Sequence, residues 1–159
     1  MGYTILQDTR EQYPWDFTFY ENCDKVIVKK LDTGDYTIEG YEDILIIERK
    51  RNTGEISNNI GFAKTRFNAE LERMKSAKWH YIICEFSIDD VLSFPVNSGI
   101  PKNKWSKLRI NGKYMMKTLS SYKELYGIDV IYCNDEFGAY QKATEIFDNV
   151  YSVFGKRSP

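Results

Sequence analysis

The sequence predicts an α/β domain built on a mixed central β-sheet with helices on both faces. Two patterns carry this. Apolar residues recur at strand spacing through the first third of the chain, and strands alternate with helical stripes after it. A third observation is the run Ile44-Leu45-Ile46-Ile47, apolar on both strand faces, which marks a central strand covered from both sides. At 159 residues the chain suits one domain over residues 1–159.

The elements follow in order. Residues 3–8 alternate with Ile and Leu, residues 25–31 carry Val26-Ile27-Val28, and strands at 36–39 and 44–48 flank a four-residue turn at 40–43. Ile56, Ile60, Ala63, Phe67, Leu71 and Met74 hold one helical face and predict one long amphipathic helix. Residues 79–86 return to strand, and Ser87 with Asp90 opens a short helix towards Phe94. A polar stretch then reaches Lys113. Met115, Leu119, Tyr122 and Tyr126 form the next helical stripe, with Gly127 as its stop signal. Residues 129–133 make a strand, and Asp135 starts a final helix with Phe137, Tyr140, Ala143, Phe147, Val150 and Phe154 inward.

Composition narrows the chemistry. With 22 Lys+Arg against 23 Asp+Glu, net charge neither demands nor forbids a nucleic-acid partner, so the distribution of charge must decide. Cys23, Cys84 and Cys133 lack zinc-ligand spacing, and His80 is the one histidine, which excludes two-histidine metal sites and leaves hard carboxylate oxygen for Mg²⁺, Mn²⁺ or Ca²⁺. No apolar run approaches the ~20 residues of a membrane span. Met1 leads directly into a strand, so neither a leader nor a membrane partner is expected, and the protein is placed inside the cell.

The hairpin concentrates the chemistry. With the turn at 40–43, Glu39 faces Ile44 and the register sets Asp35 opposite Glu48. Opposed like charges destabilise a strand pair unless something intervenes, and a divalent cation is one such thing. Ile44, Ile46, Glu48 and Lys50 share a face, so two carboxylates and a lysine gather where a buried strand emerges. Asp35 and Glu48 can ligate Mg²⁺, and Lys50 can position water or offset phosphate charge. Solvated carboxylates on a hairpin are the plainer alternative.

The strings Asp8-Thr9-Arg10-Glu11, Gly34-Asp35-Tyr36 and Ile47-Glu48-Arg49-Lys50 resemble the nuclease domain of the XPF structure-specific endonucleases, a variant of the PD-(D/E)xK restriction-endonuclease-like fold. The helix from Arg66-Phe67 to Met74, the strand at 81–85 and the segment from Tyr126 to Ile131 keep the family's order, so the resemblance spans residues 3–153. It implies Mg²⁺- or Mn²⁺-dependent cleavage of DNA at flaps, forks or junctions, in repair or recombination. Carried over, Asp35 and Glu48 are metal ligands, Lys50 the water-orienting base or phosphate contact, and Asp8 a further acidic member. Arg10, Glu11, Arg49 and Arg66 support the site or contact the substrate backbone.

The sequence departs from that pattern twice. The family has an Asp shortly after the lysine, where this chain offers Glu55 with a one-residue shift. Family members commonly carry a helix-hairpin-helix domain behind the nuclease domain, whereas five residues follow Phe154 here. Branch specificity is then expected from a homodimer, a partner protein or the domain's own insert. A compact nuclease of this kind suits a cytoplasmic or nucleoid-associated enzyme, or one from a small viral genome. The alternatives are a less selective nicking enzyme or resolvase, and a catalytically silent DNA-binding or dimerisation subunit.

One segment stands apart in charge. Lys102, Lys104, Lys107, Arg109, Lys113 and Lys117 occur with no acid among them and with Trp105 and Tyr114 interleaved. Such a pattern suits phosphate contact with base stacking. A solvated loop whose Trp105 tucks into the core is the other reading.

Overall fold

The computed structural model describes residues 2–155. Six strands, β1 (Tyr3–Gln7), β2 (Cys23–Val28), β3 (Tyr36–Ile38), β4 (Leu45–Lys50), β5 (Trp79–Cys84) and β6 (Asp129–Tyr132), form one sheet in the order β2-β1-β3-β4-β5-β6. The β1/β3 and β3/β4 pairs are antiparallel and the others parallel, so the sheet is mixed as expected. Tyr36 pairs with Ile47, the register deduced from the turn. Every residue of β4 is buried, because it runs between neighbours with helices above and below.

Side-chain alternation divides the core in two. Ile46, Ile82 and Cys84 pack against α1 (Thr53–Ile60), α2 (Lys64–Met74), α3 (Ile88–Leu92) and α4 (Gly112–Tyr126). Leu45, Ile47 and Ile83 face α5 (Glu136–Phe154) through Ala139, Ala143 and Phe147. The capping box at Ser87 and Asp90 opens α3, and Gly127 closes α4 at φ 70°. No helix among the described residues is long and apolar enough to cross a membrane.

Four expectations need correction. The single helix over 56–74 is two helices, interrupted at Gly61-Phe62-Ala63. Asn58, Asn59 and Gly61 are weak helix formers, and Gly61 turns the chain out with φ −98° and ψ −96°. The apolar stripe survives, since Ile56, Ile60, Ala63, Phe67, Leu71 and Met74 are all buried. Phe137, expected inward, is 67% exposed, because Ala139, Ala143, Ile146 and Val150 supply the inner face of α5. The strand expected over 25–31 ends at Val28 and is an edge strand, with Val26 and Val28 exposed. Ile44 belongs to the hairpin loop, whose Tyr41 is drawn into the core.

Candidate active site

Asp35 is positioned by three backbone segments. Its amide donates to the Ile47 carbonyl at 2.8 Å, and its carbonyl accepts from the Asp8 amide at 2.8 Å. Its Oδ2 accepts from the Arg49 amide at 2.7 Å. Gly34 makes this possible: φ is +83°, and a Cβ there would lie 2.6 Å from Ile46 Cγ2. Glu48 and Lys50 project from one face of β4, with Lys50 Nζ 2.8 Å from Glu48 Oε2. Residue exposures of 6% and 5% place both behind the protein surface, so the strand does not emerge into solvent at its charges.

Burial and the Glu48 carboxylate push Asp35 well above the usual carboxylate range. Burial alone would lower Lys50, yet its ion pair and hydrogen bond with Glu48 outweigh this and hold it above its ordinary value. Lys50 is therefore an ammonium donor, also resting over the Phe67 ring at 4.9 Å. Glu70, on α2, joins the cluster by a side-chain hydrogen bond with Glu48, and burial followed by the Glu48 charge pushes it up to about 7. Asp8, Arg10, Asp35, Glu48, Arg66, Glu70 and Arg73 line one cleft of about 370 Å³. Cations at the rim and carboxylates within are an arrangement able to take a phosphate and a metal together.

The ERCC4 domain family matches residues 7–142 of this chain. The chain belongs to the ERCC4 domain family. The matched span contains all three ordered motifs, at residues 8–11, 34–36 and 47–50. Two solved structures share the fold. XPF from Aeropyrum pernix matches with a TM-score of 0.63 and 18% identity, over 97% of this chain and 62% of that one. XPF from Aeropyrum pernix in complex with DNA matches with a TM-score of 0.64 and 17% identity, over 97% of this chain and 68% of that one. This chain therefore spans under two thirds of the length of the first. No curated protein gives a significant sequence match.

Within the ERCC4 domain the remaining motif residues divide between two sheet faces. Asp8 lies in the cleft with both oxygens engaged: Oδ1 accepts from the Leu31 amide at 2.8 Å, and Oδ2 from Arg10 Nε at 2.8 Å. Burial raises its carboxyl, but those hydrogen bonds outweigh it and hold Asp8 below the usual range. Arg66 reaches the cleft from α2 and is otherwise exposed. Glu55 stands behind Lys50, its Oε1 3.7 Å from Nζ, and does not line the cleft.

Arg49 points to the opposite face. Its side chain is 1% exposed, with Nε 2.7 Å from Glu85 and Nη1 3.6 Å from Glu11. It also donates to the Tyr13 carbonyl and lies 4.7 Å over the Trp15 ring. Arg49 and Glu11 therefore hold the loop after β1 and add no positive charge to the cleft. Glu85 also accepts from Trp15 Nε1 at 2.8 Å.

Two contributors escape a reading of the sequence. Glu70 had a signal in its spacing, since Arg66, Glu70 and Arg73 occupy the helix face beside the buried Phe67 stripe. Glu85 had none, because it meets Arg49 only through parallel pairing of β4 and β5.

The basic segment lies in the crossover from β5 to β6 as a 3-10 turn, Lys102–Lys107, leading into α4. Lys102, Lys104, Lys107, Arg109 and Lys113 are exposed. Trp105 is half-buried and donates to the Ile100 carbonyl at 2.9 Å, so it pins the segment and sits neither fully in the core nor free.

Proposed function

We propose that the protein is a divalent-metal-dependent DNA endonuclease that hydrolyses phosphodiester bonds at branched DNA. One observation carries this reading: Asp35 and Glu48 line one cleft of an ERCC4 domain, and Lys50, buried behind that lining, lies 2.8 Å from Glu48. Burial first, and then repulsion from the Glu48 carboxylate, raises Asp35, and a bound cation is a group that relieves both. Among the described residues no three His, Cys, Asp or Glu side chains already form a coordinating group. Mg²⁺ suits a site of one or two carboxylates, because waters and substrate phosphate complete its shell. Asp35 and Glu48 would hold Mg²⁺ or Mn²⁺, which would polarise the scissile phosphate and acidify a bound water.

The protein's own groups do the rest. Lys50, held as an ammonium, donates to the attacking water or to a phosphate oxygen, and so serves as an orienting cation more readily than as a base. Arg66, Arg73 and Arg10 at the rim offset phosphate charge as the backbone enters. Asp8 fixes the loop that presents Asp35, and its position leaves it available to an incoming ion only if Arg10 releases it. The basic segment adds phosphate contacts, and a second copy or a partner protein completes the preference for branched DNA. A silent DNA-binding subunit would have no use for buried carboxylates set against one another.

The test is cleavage of labelled linear, flap, fork and four-way DNA with Mg²⁺ or Mn²⁺, with EDTA as control, by wild type and Asp35→Ala. Metal-dependent cutting by wild type that Asp35→Ala lacks supports the enzyme, and the substrate cut fastest defines its preference. Binding of branched DNA with no cutting under any metal would overturn catalysis and leave the silent subunit.

A further inference from the structure

A second groove lies on the other side of α1. It encloses about 640 Å³ between α1 and the end of the basic segment, within the roughly 300–1,000 Å³ of small-ligand sites. Its apolar lining comes from Phe62, Ile100, Leu108 and Ile110, and Lys107 and Arg109 stand at its edge. Phe62 is 98% exposed, in the break between α1 and α2 where Gly61 turns the chain outward. A fully exposed phenyl ring does nothing for the core, and a ring beside two exposed cations offers a face to something planar and, through them, a contact for something anionic.

We infer that this groove holds an unpaired DNA strand leaving the cleft, with a base stacked on Phe62 and adjacent phosphates on Lys107 and Arg109. The inference rests on the nuclease reading and adds to it a strand-binding groove outside the cleft. Charge complementarity selects a polyanion, since residues 101–117 contain no acid. The apolar floor selects unstacked bases, because duplex DNA hides its base faces and presents mainly phosphate. Position supports it as well. Helix α1 is the shared wall, with Asn59 lining the catalytic cleft and Asn58 lining the groove. Gly54 lines the groove while its neighbour Glu55 reaches to 3.7 Å from Lys50. A strand that crosses the end of α1 passes from one to the other.

The experiment measures binding by fluorescence anisotropy, without divalent metal, of a labelled oligothymidylate and of a blunt duplex of equal length. Wild type, Phe62→Ala and Lys107→Ala/Arg109→Ala are compared over a salt series, with circular dichroism to confirm folding. Phe62→Ala is expected to weaken single-strand binding about fivefold or more, with the salt slope and duplex affinity unchanged. The double variant should lower the slope of log affinity against log salt by about 1.4, the value for two single-strand phosphate contacts. Unchanged single-strand affinity in Phe62→Ala overturns the inference, as does an equal loss for duplex. Because no cleavage is needed, the two readings fail separately. A wild type that cuts forks while Phe62→Ala binds normally overturns the groove alone. A wild type that binds single strands through Phe62 but never cuts overturns only the nuclease.

Discussion

Lys50 and Glu48, two residues apart on β4, meet at 2.8 Å behind the protein surface, each almost excluded from solvent. Alternation along a strand puts both side chains on one face, and the adjoining Asp35 and Glu70 make that face acidic. Lys50 is thus the cation that keeps the metal-free cluster together.

Removing it should therefore cost more than the loss of one surface pair. Lys50→Met leaves Glu48 buried and uncompensated, and breaking such a pair typically costs about 3–5 kcal/mol. Glu48→Gln/Lys50→Met removes both charges and should recover at least about 1 kcal/mol of that loss. Urea unfolding of the two variants measures the difference. If the double variant were the less stable of the two, the pair would be no source of stability. Neither variant is expected to cleave DNA.

Asp8 and Arg10 should separate positioning from mere contact. Asp8→Ala strips the Leu31 amide of its acceptor inside the fold, a loss of about 1–3 kcal/mol. Arg10 is bound to the same carboxylate but its side chain is 68% exposed, so Arg10→Ala should cost less than about 1 kcal/mol. Both should slow cleavage, Asp8→Ala more, because its carboxylate ties down Leu31 at the start of the loop that leads to Asp35. Equal unfolding midpoints for the two variants would show that Asp8 does not anchor the Asp35 loop.

The acidic cluster sets a pH dependence whose sign is fixed. Glu70 is pushed from its ordinary 4.5 up to about 7, and Asp35 moves in the same sense. A carboxyl with a raised folded-state pKa keeps its proton longer when folded. Its contribution to stability is complete below its unfolded pKa and is lost as pH rises through the folded value. Metal-free protein should accordingly lose stability between about pH 4.5 and 7, and Glu70→Gln should flatten that part of the curve. Mg²⁺ should restore stability at pH 8 in wild type and fail to do so in Asp35→Ala. Parallel curves for wild type and Glu70→Gln in EDTA would remove Glu70 from the cluster.

How far the site is legible depends on the range over which its residues communicate. Asp35 and Glu48 are joined by a hairpin, so counting back from the turn sets them opposite one another, and the observed pairing of Tyr36 with Ile47 agrees. The buried stripe from Ile56 to Met74 is equally visible, because helical periodicity is local. The break at Gly61 is not, since the stripe continues in phase across it and only weak helix formers mark the place. Phe137 misleads for a related reason: apolar character says that a residue can be buried, while the neighbouring sheet decides which helix face is.

By itself, then, the sequence determined the α/β class, the hairpin register and the shared strand face of Glu48 and Lys50, all properties of short stretches with periods of two or 3.6, while its ordered motifs carried the family resemblance. Only the tertiary structure decided that Arg49 turns away from the centre to Glu85 and that Glu70 completes it. It also decided that Asp8 is held by Leu31, and that Phe62 and Arg109 border one groove. These partners are separated along the chain and meet because parallel strands and crossover helices bring remote residues together. Local periodicity carries no record of that packing.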